Sequence, residues 1–129
     1  MSKLTIKRFN RFHKTLILTF SDGFQLALVT AVDFEFHRHK WLKWKYTETR
    51  YIAGLREIIL LNNASRPVVI YAYHAAPFKN QVELLDTGYR QRRLALYLQF
   101  ATEHVREFYG EYPKELQPLL EDIETALRL

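Results

Sequence analysis

From Leu16 to Phe20 and again from Phe24 to Phe36 the even positions are nearly all apolar: Leu16, Leu18 and Phe20, then Phe24, Leu26, Leu28, Val32, Phe34 and Phe36. A period of two is what a strand with one buried face requires, and it is incompatible with a helix over the same stretch. Ser21-Asp22-Gly23 separates the two runs, with Gly able to take the positive φ of a tight turn and Asp able to bond nearby backbone. Residues 14–20 and 24–37 therefore read as an antiparallel pair, the second bent or broken near Thr30. Leu42, Trp44 and Tyr46 alternate with Lys43 and Lys45, which predicts a further strand over 40–46, and residues 3–9 add an edge strand.

The period changes after Thr47. Tyr51, Ile52, Leu55, Ile58 and Ile59 share one helical face and Thr47 or Thr49 can cap it, so a helix is predicted over 48–61, ending at Asn62-Asn63. Residues 68–73 (VVIYAY) are β-branched and aromatic with few polar positions, a pattern suited to a central strand. A short helix over Lys79–Asp86 would stop at Thr87-Gly88. Leu94, Tyr97, Leu98, Ala101, Val105 and Phe108 predict a long helix stopped by Gly110. Pro113 suits the start of a last helix with Leu116, Leu119, Leu120, Ile123 and Leu127 on its buried stripe. The expected fold is α+β: a single domain over 1–129 whose antiparallel sheet of about four to five strands, an N-terminal meander plus one later strand, packs against three to four helices.

Composition limits what such a chain does. At 129 residues, 48% hydrophobic and 26% charged, it carries enough apolar surface for a core. It has no Cys, which removes disulfide frameworks, thiolate zinc sites and cysteine nucleophiles. No apolar run approaches the roughly 18 residues of a membrane span, and the basic start lacks the apolar block of a secretory leader. A cytoplasmic protein is the expectation. Residues 1–50 carry 10 Lys+Arg against 4 Asp+Glu, residues 51–100 carry 6 against 3, and residues 101–129 carry 3 against 7. The basic front suits an anionic partner, and the acidic tail of one subunit could also meet the basic front of another.

Several residue groups are candidates for function. Arg38, Lys40, Trp41, Lys43 and Lys45 interleave cations with rings, as single-stranded nucleic acid requires: charges for phosphates, rings for bases. If the strand keeps its phase, Trp41 shares a face with Lys43 and Lys45 while Trp44 turns to the core. Arg90, Arg92 and Arg93 sit in the first turn of the long helix, where the dipole disfavours cations, so either a phosphate or Glu83 and Asp86 upstream should compensate. A helix-turn-helix around Gly88 is the weaker reading, because Leu94–Leu98 is too apolar for a groove-exposed helix.

Asp33, Glu35, His37 and His39 alternate on one strand face. They read either as a solvated strand face or as part of a metal site, with His37, His39, Glu35 and His74 as ligands for a hydrolytic metal. Tyr89, Tyr97, Tyr109 and Tyr112 suit an interface between copies. No phosphate loop or nucleophile motif is present, and no cofactor is expected. The sequence therefore points to a non-enzymatic binding or regulatory module for nucleic acid, with a homo-oligomeric interaction domain as the alternative.

Overall fold

In the computed structural model of the chain, residues 5–41, 44–62, 67–72 and 88–128 are described. Thr5–Thr19 (β1) and Gln25–Trp41 (β2) pair antiparallel along their length. The turn between them follows the sequence logic: Gly23 has φ 90, and the Phe24 N–H donates to Asp22 Oδ1 at 3.2 Å. The edge strand expected over 3–9 is the beginning of β1 itself.

Trp44–Leu60 (β3) returns along β2, and this overturns the helix expected over 48–61. Its spacing misleads for a physical reason. Tyr51, Ile52, Ala53, Leu55, Arg56 and Ile58 are all buried, so both faces of the strand are covered and the period of two disappears. The strand expected over 40–46 is divided as well: Trp41 pairs with Trp44 and Lys40 with Lys45, closing a β2–β3 hairpin between them.

Val68–Ala72 (β4) and Arg106–Tyr109 (β5) share the far side of β3, at residues 57–60 and 50–53 respectively. The sheet has five strands in the order β1-β2-β3-β4, with β5 also on β3. β4 is thus not central, because among the described residues it pairs with β3 alone. Its apolar content still serves the core through Ile70.

Three irregularities interrupt the ladders, one of them in β4, where Ile70 is the extra residue between the Val69–Ile59 and Tyr71–Ile58 pairs. Arg11 is the extra residue of β1 between the Asn10–Asp33 and Phe12–Val32 pairs. Arg56 is the extra residue of β3 where Val29 pairs with Glu57 and Thr30 with Leu55, so the irregularity beside Thr30 belongs to the partner strand, and β2, expected to bend or break there, runs unbroken from Gln25 to Trp41.

Gly88–Glu103 (α1) and Leu116–Arg128 (α2) lie on one face of the sheet. α1 buries Leu94, Tyr97 and Ala101 against Leu28, Leu55 and Ile58. α2 buries Leu116, Leu120, Ile123 and Leu127, almost the stripe read from sequence. The long helix expected to reach Phe108 ends at Glu103, and Phe108 lies on β5 opposite Tyr51. Gly54 permits this approach, since a Cβ there would lie 3.3 Å from Val105 Cα. Gly110 terminates β5 rather than a helix, and its N–H donates to the Thr49 carbonyl at 3.0 Å. The architecture is α+β with two helices among the described residues, fewer than the three to four expected. The helix expected over 79–86 lies outside them.

Candidate nucleic-acid interface

The register sorts the residues near the β2–β3 turn into two rows. One row pairs Phe36 with Thr49, Arg38 with Thr47 and Lys40 with Lys45. The next pairs His37 with Glu48, His39 with Tyr46 and Trp41 with Trp44. This corrects the expectation that Trp41 shares a row with Lys43 and Lys45: the turn sets Trp41 across from Trp44, in line with the histidines. Lys43 lies outside the described residues.

The row of Phe36 continues onto the helix-bearing face, where a shelf of rings extends past the end of α2. Val32, Tyr51 and Ala53 are covered by Leu116 and Leu120, and Phe34 packs at the margin of that cluster. Phe9 stacks on Phe34 at 5.0 Å between centroids, and Phe36 meets both edge-on at 6.0 and 5.2 Å. Tyr112, in the loop before α2, stands edge-on to Tyr51 at 5.4 Å. Phe9 remains 45% exposed and Tyr112 42% exposed, so the shelf keeps ring surface open to a ligand.

The Arg11 bulge directs its guanidinium onto the same shelf, 4.6 Å from the Tyr112 centroid and 5.6 Å from that of Phe34. Lys7, opposite Phe36, and Arg38, opposite Thr5, are exposed cations in adjoining positions. No Asp or Glu occupies residues 34, 36, 38 or 40 of β2, residues 45, 47, 49 or 51 of β3, or residues 5, 7 or 9 of β1. Sequence reasoning missed the shelf because Phe34 and Phe36 continue the even-position pattern of true core residues. The available signal was that the even row turns from apolar to Arg38 and Lys40 without an acidic residue.

The carboxylates occupy the opposite face, and they are not a solvated strand surface. Asp33 is ion-paired with Arg56, the bulge residue, and both are buried. Glu35, 1% exposed, is paired with Arg50 directly across the ladder. Arg50 also lies 3.9 Å from Glu107. Burial works against the Arg50 charge, but Glu35, with help from Tyr109 and Glu107, outweighs it and holds the guanidinium above its ordinary pKa.

His37 Nε2 lies 3.2 Å from Glu35 Oε2, while the His37 and His39 rings stack at 6.4 Å. His39 stacks in turn on Tyr46 at 4.6 Å, and its Nε2 is 3.7 Å from Glu48. Among the described residues no group of three or more His, Asp or Glu is placed to hold a metal ion. His74, the further ligand expected from sequence, lies outside them.

The arginines of α1 are held at the other end of β2. Arg90 is ion-paired with Asp22 in the β1–β2 turn and lies 4.3 Å from the Phe24 ring centroid. Asp22 thus provides a compensating charge that sequence reasoning sought in Glu83 and Asp86, which lie outside the described residues. Arg93 lies 5.6 Å from the Tyr97 centroid and lines a cleft of about 430 Å³ with Tyr89, Phe20 and Leu18. Arg92 is exposed. With β2 spanning 17 residues, about 50 Å at strand rise, this group and Arg38 belong to separate surfaces. Scanned against family models and searched against curated proteins and solved structures, the chain matches none.

Proposed function

We propose that the chain is a non-catalytic module that binds single-stranded nucleic acid on the ring shelf of its helix-bearing face. The observation that carries this reading is the open stack of Phe9, Phe34 and Phe36 beside Tyr112, bordered by Arg11, Lys7 and Arg38, with no Asp or Glu in the same rows of β1, β2 and β3. Bases have π-faces that stack on such rings whatever their identity, and the cations meet the phosphates. Lys40 and Lys45 at the hairpin end extend the basic row. Within a duplex the base faces are already stacked on one another, so single strands should be preferred.

Fluorescence anisotropy with labelled single-stranded oligonucleotides tests the proposal at low salt. Phe9→Ala and Tyr112→Ala should each weaken binding about tenfold, the lower range of a lost base–ring stack of about 1–3 kcal/mol. Unchanged affinity in both variants, or no binding by the wild type, would remove the shelf from consideration. A second reading, self-association through the same rings, draws on the exposure of Phe9 and Tyr112. It predicts a mass that rises with protein concentration in sedimentation and falls in Phe9→Ala, with or without oligonucleotide.

A further inference from the structure

The cleft beside the β1–β2 turn is a second place where rings and a cation converge. It holds about 430 Å³, within the roughly 300–1,000 Å³ of small-molecule sites. The end of β1 and the turn after it supply Leu18, Thr19, Phe20 and Ser21, while α1 supplies Tyr89, Arg93 and Tyr97. We propose that this cleft binds a small molecule in which one aromatic ring carries a short carboxylate chain.

The apolar part of the lining selects the ring. Phe20 and Tyr89 meet edge-on at 5.9 Å between centroids, with Leu18 and Tyr97 alongside. Tyr89 is 57% exposed, so a flat ligand laid against it covers ring surface that water now touches. Charge selects the acid. Arg93 is the one cation among the described lining residues, and none of these is Asp or Glu. Asp22, next to Ser21 in the turn, is ion-paired with Arg90 instead. A guanidinium presents its N–H groups as a planar fork that fits a carboxylate through parallel bonds. A phosphate monoester would bring up to two charges to this one cation and leave part of its charge unmet beside the rings.

Tyr97 supports the same ligand. Arg93 donates to its hydroxyl, which leaves the phenol its own proton to give. Burial, against the lowering influence of Arg93, holds that phenol above its ordinary pKa, so it meets a ligand as a neutral donor. The cleft sits at the start of β2 and the ring shelf further along it, so this inference stands apart from the nucleic-acid reading.

The test titrates phenylacetate into the full chain, with benzylamine as the same ring on a cation and phenyl phosphate as the same ring on a phosphate, and follows backbone amide shifts by NMR. Phenylacetate should bind with a Kd of about 1 mM or below, the level open to so small a ligand. It should bind at least tenfold more tightly than benzylamine, and the largest shifts should fall within 18–21 and 89–97. No saturable binding, equal binding of acid and amine, or shifts centred on the β2–β3 hairpin would overturn the proposal. Tighter binding of phenyl phosphate than of phenylacetate would give the cleft to phosphate esters and reject the carboxylate.

Two variants supply an independent arm. Arg93→Gln should weaken phenylacetate at least tenfold and leave benzylamine unchanged; a folded variant that binds the acid as the wild type does would defeat the assignment. Tyr89→Ala, at an exposed position, should keep the melting temperature and weaken phenylacetate severalfold. If Arg93→Gln does not fold, Tyr89→Ala decides, because full affinity in that variant removes the cleft as the site.

Discussion

Glu35 is a carboxylate at 1% exposure in a chain whose front half is strongly basic, and Arg50, facing it across the ladder, stabilises that position together with His37. Glu35→Ala leaves that guanidinium without its main partner. The expected loss is about 3 kcal/mol in urea unfolding, the low end for a broken buried pair, because Arg50 is 25% exposed and can partly rehydrate. A loss below about 1 kcal/mol would mean that water already shares the pair. Tyr97 offers a test by pH. Its burial raises the phenol above the ordinary 10.0, against the lowering influence of Arg93. The folded chain therefore holds the Tyr97 proton more tightly than the unfolded chain does. That contribution is full below about pH 10 and is lost as pH rises through the folded value. Denaturant melts at about pH 9 and pH 11 should show a smaller decline for Tyr97→Phe than for wild type; identical declines would refute the assignment.

Among elements, α2 is the part most directly written in the sequence. Its apolar spacing specifies Leu116, Leu119, Leu120, Ile123 and Leu127; all but Leu119, which is half-buried, are buried. Leu120→Ala should cost about 2–5 kcal/mol, measured by thermal or urea unfolding, because the site closes the smaller core cluster against Val32 and Tyr51. A cost under 1 kcal/mol would indicate that α2 closes onto the vacated volume. The β1–β2 hairpin was equally legible, since one of its faces alternates and Gly23 marks its turn. β3 was not legible because partners on both sides and cover on both faces remove the alternation from residues 51–58. β5 was hidden for another reason: Phe108 has helical spacing from Leu94 and Ala101, and only its pairing with Tyr51 reveals a strand.

At the scale of the whole molecule, the carboxylates of β1, β2 and β3 are confined to one face of the sheet, where Arg50 and Arg56 pair with two of them. Cations Lys7, Arg11 and Arg38 accompany the rings on the helix-bearing side, while Asp33, Glu35 and Glu48 lie on the other. The composition already disclosed a basic front half, but only the register reveals that its carboxylates share one face and leave the other to rings and cations. Oligonucleotide affinity should accordingly fall with salt, with a log–log slope of up to about 3.5 if Lys7, Arg11, Arg38, Lys40 and Lys45 each displace one counterion from a single strand. A slope near zero, measured by anisotropy across a salt series, would place the binding elsewhere. The β1 part of the shelf depends on the supernumerary residue at position 11 being bulged out of the ladder. Upstream of it the helix-bearing row of β1 runs through odd numbers, Lys7 and Phe9; downstream it runs through even ones, Phe12, Lys14 and Leu16. Arg11 is a phase change in the strand. Its deletion would close the bulge and join the two halves in one parity: Asn10 and Phe12 already face the consecutive residues Asp33 and Val32, so Lys7 and Phe9 would keep their row and the shelf would lose the guanidinium over Tyr112 alone.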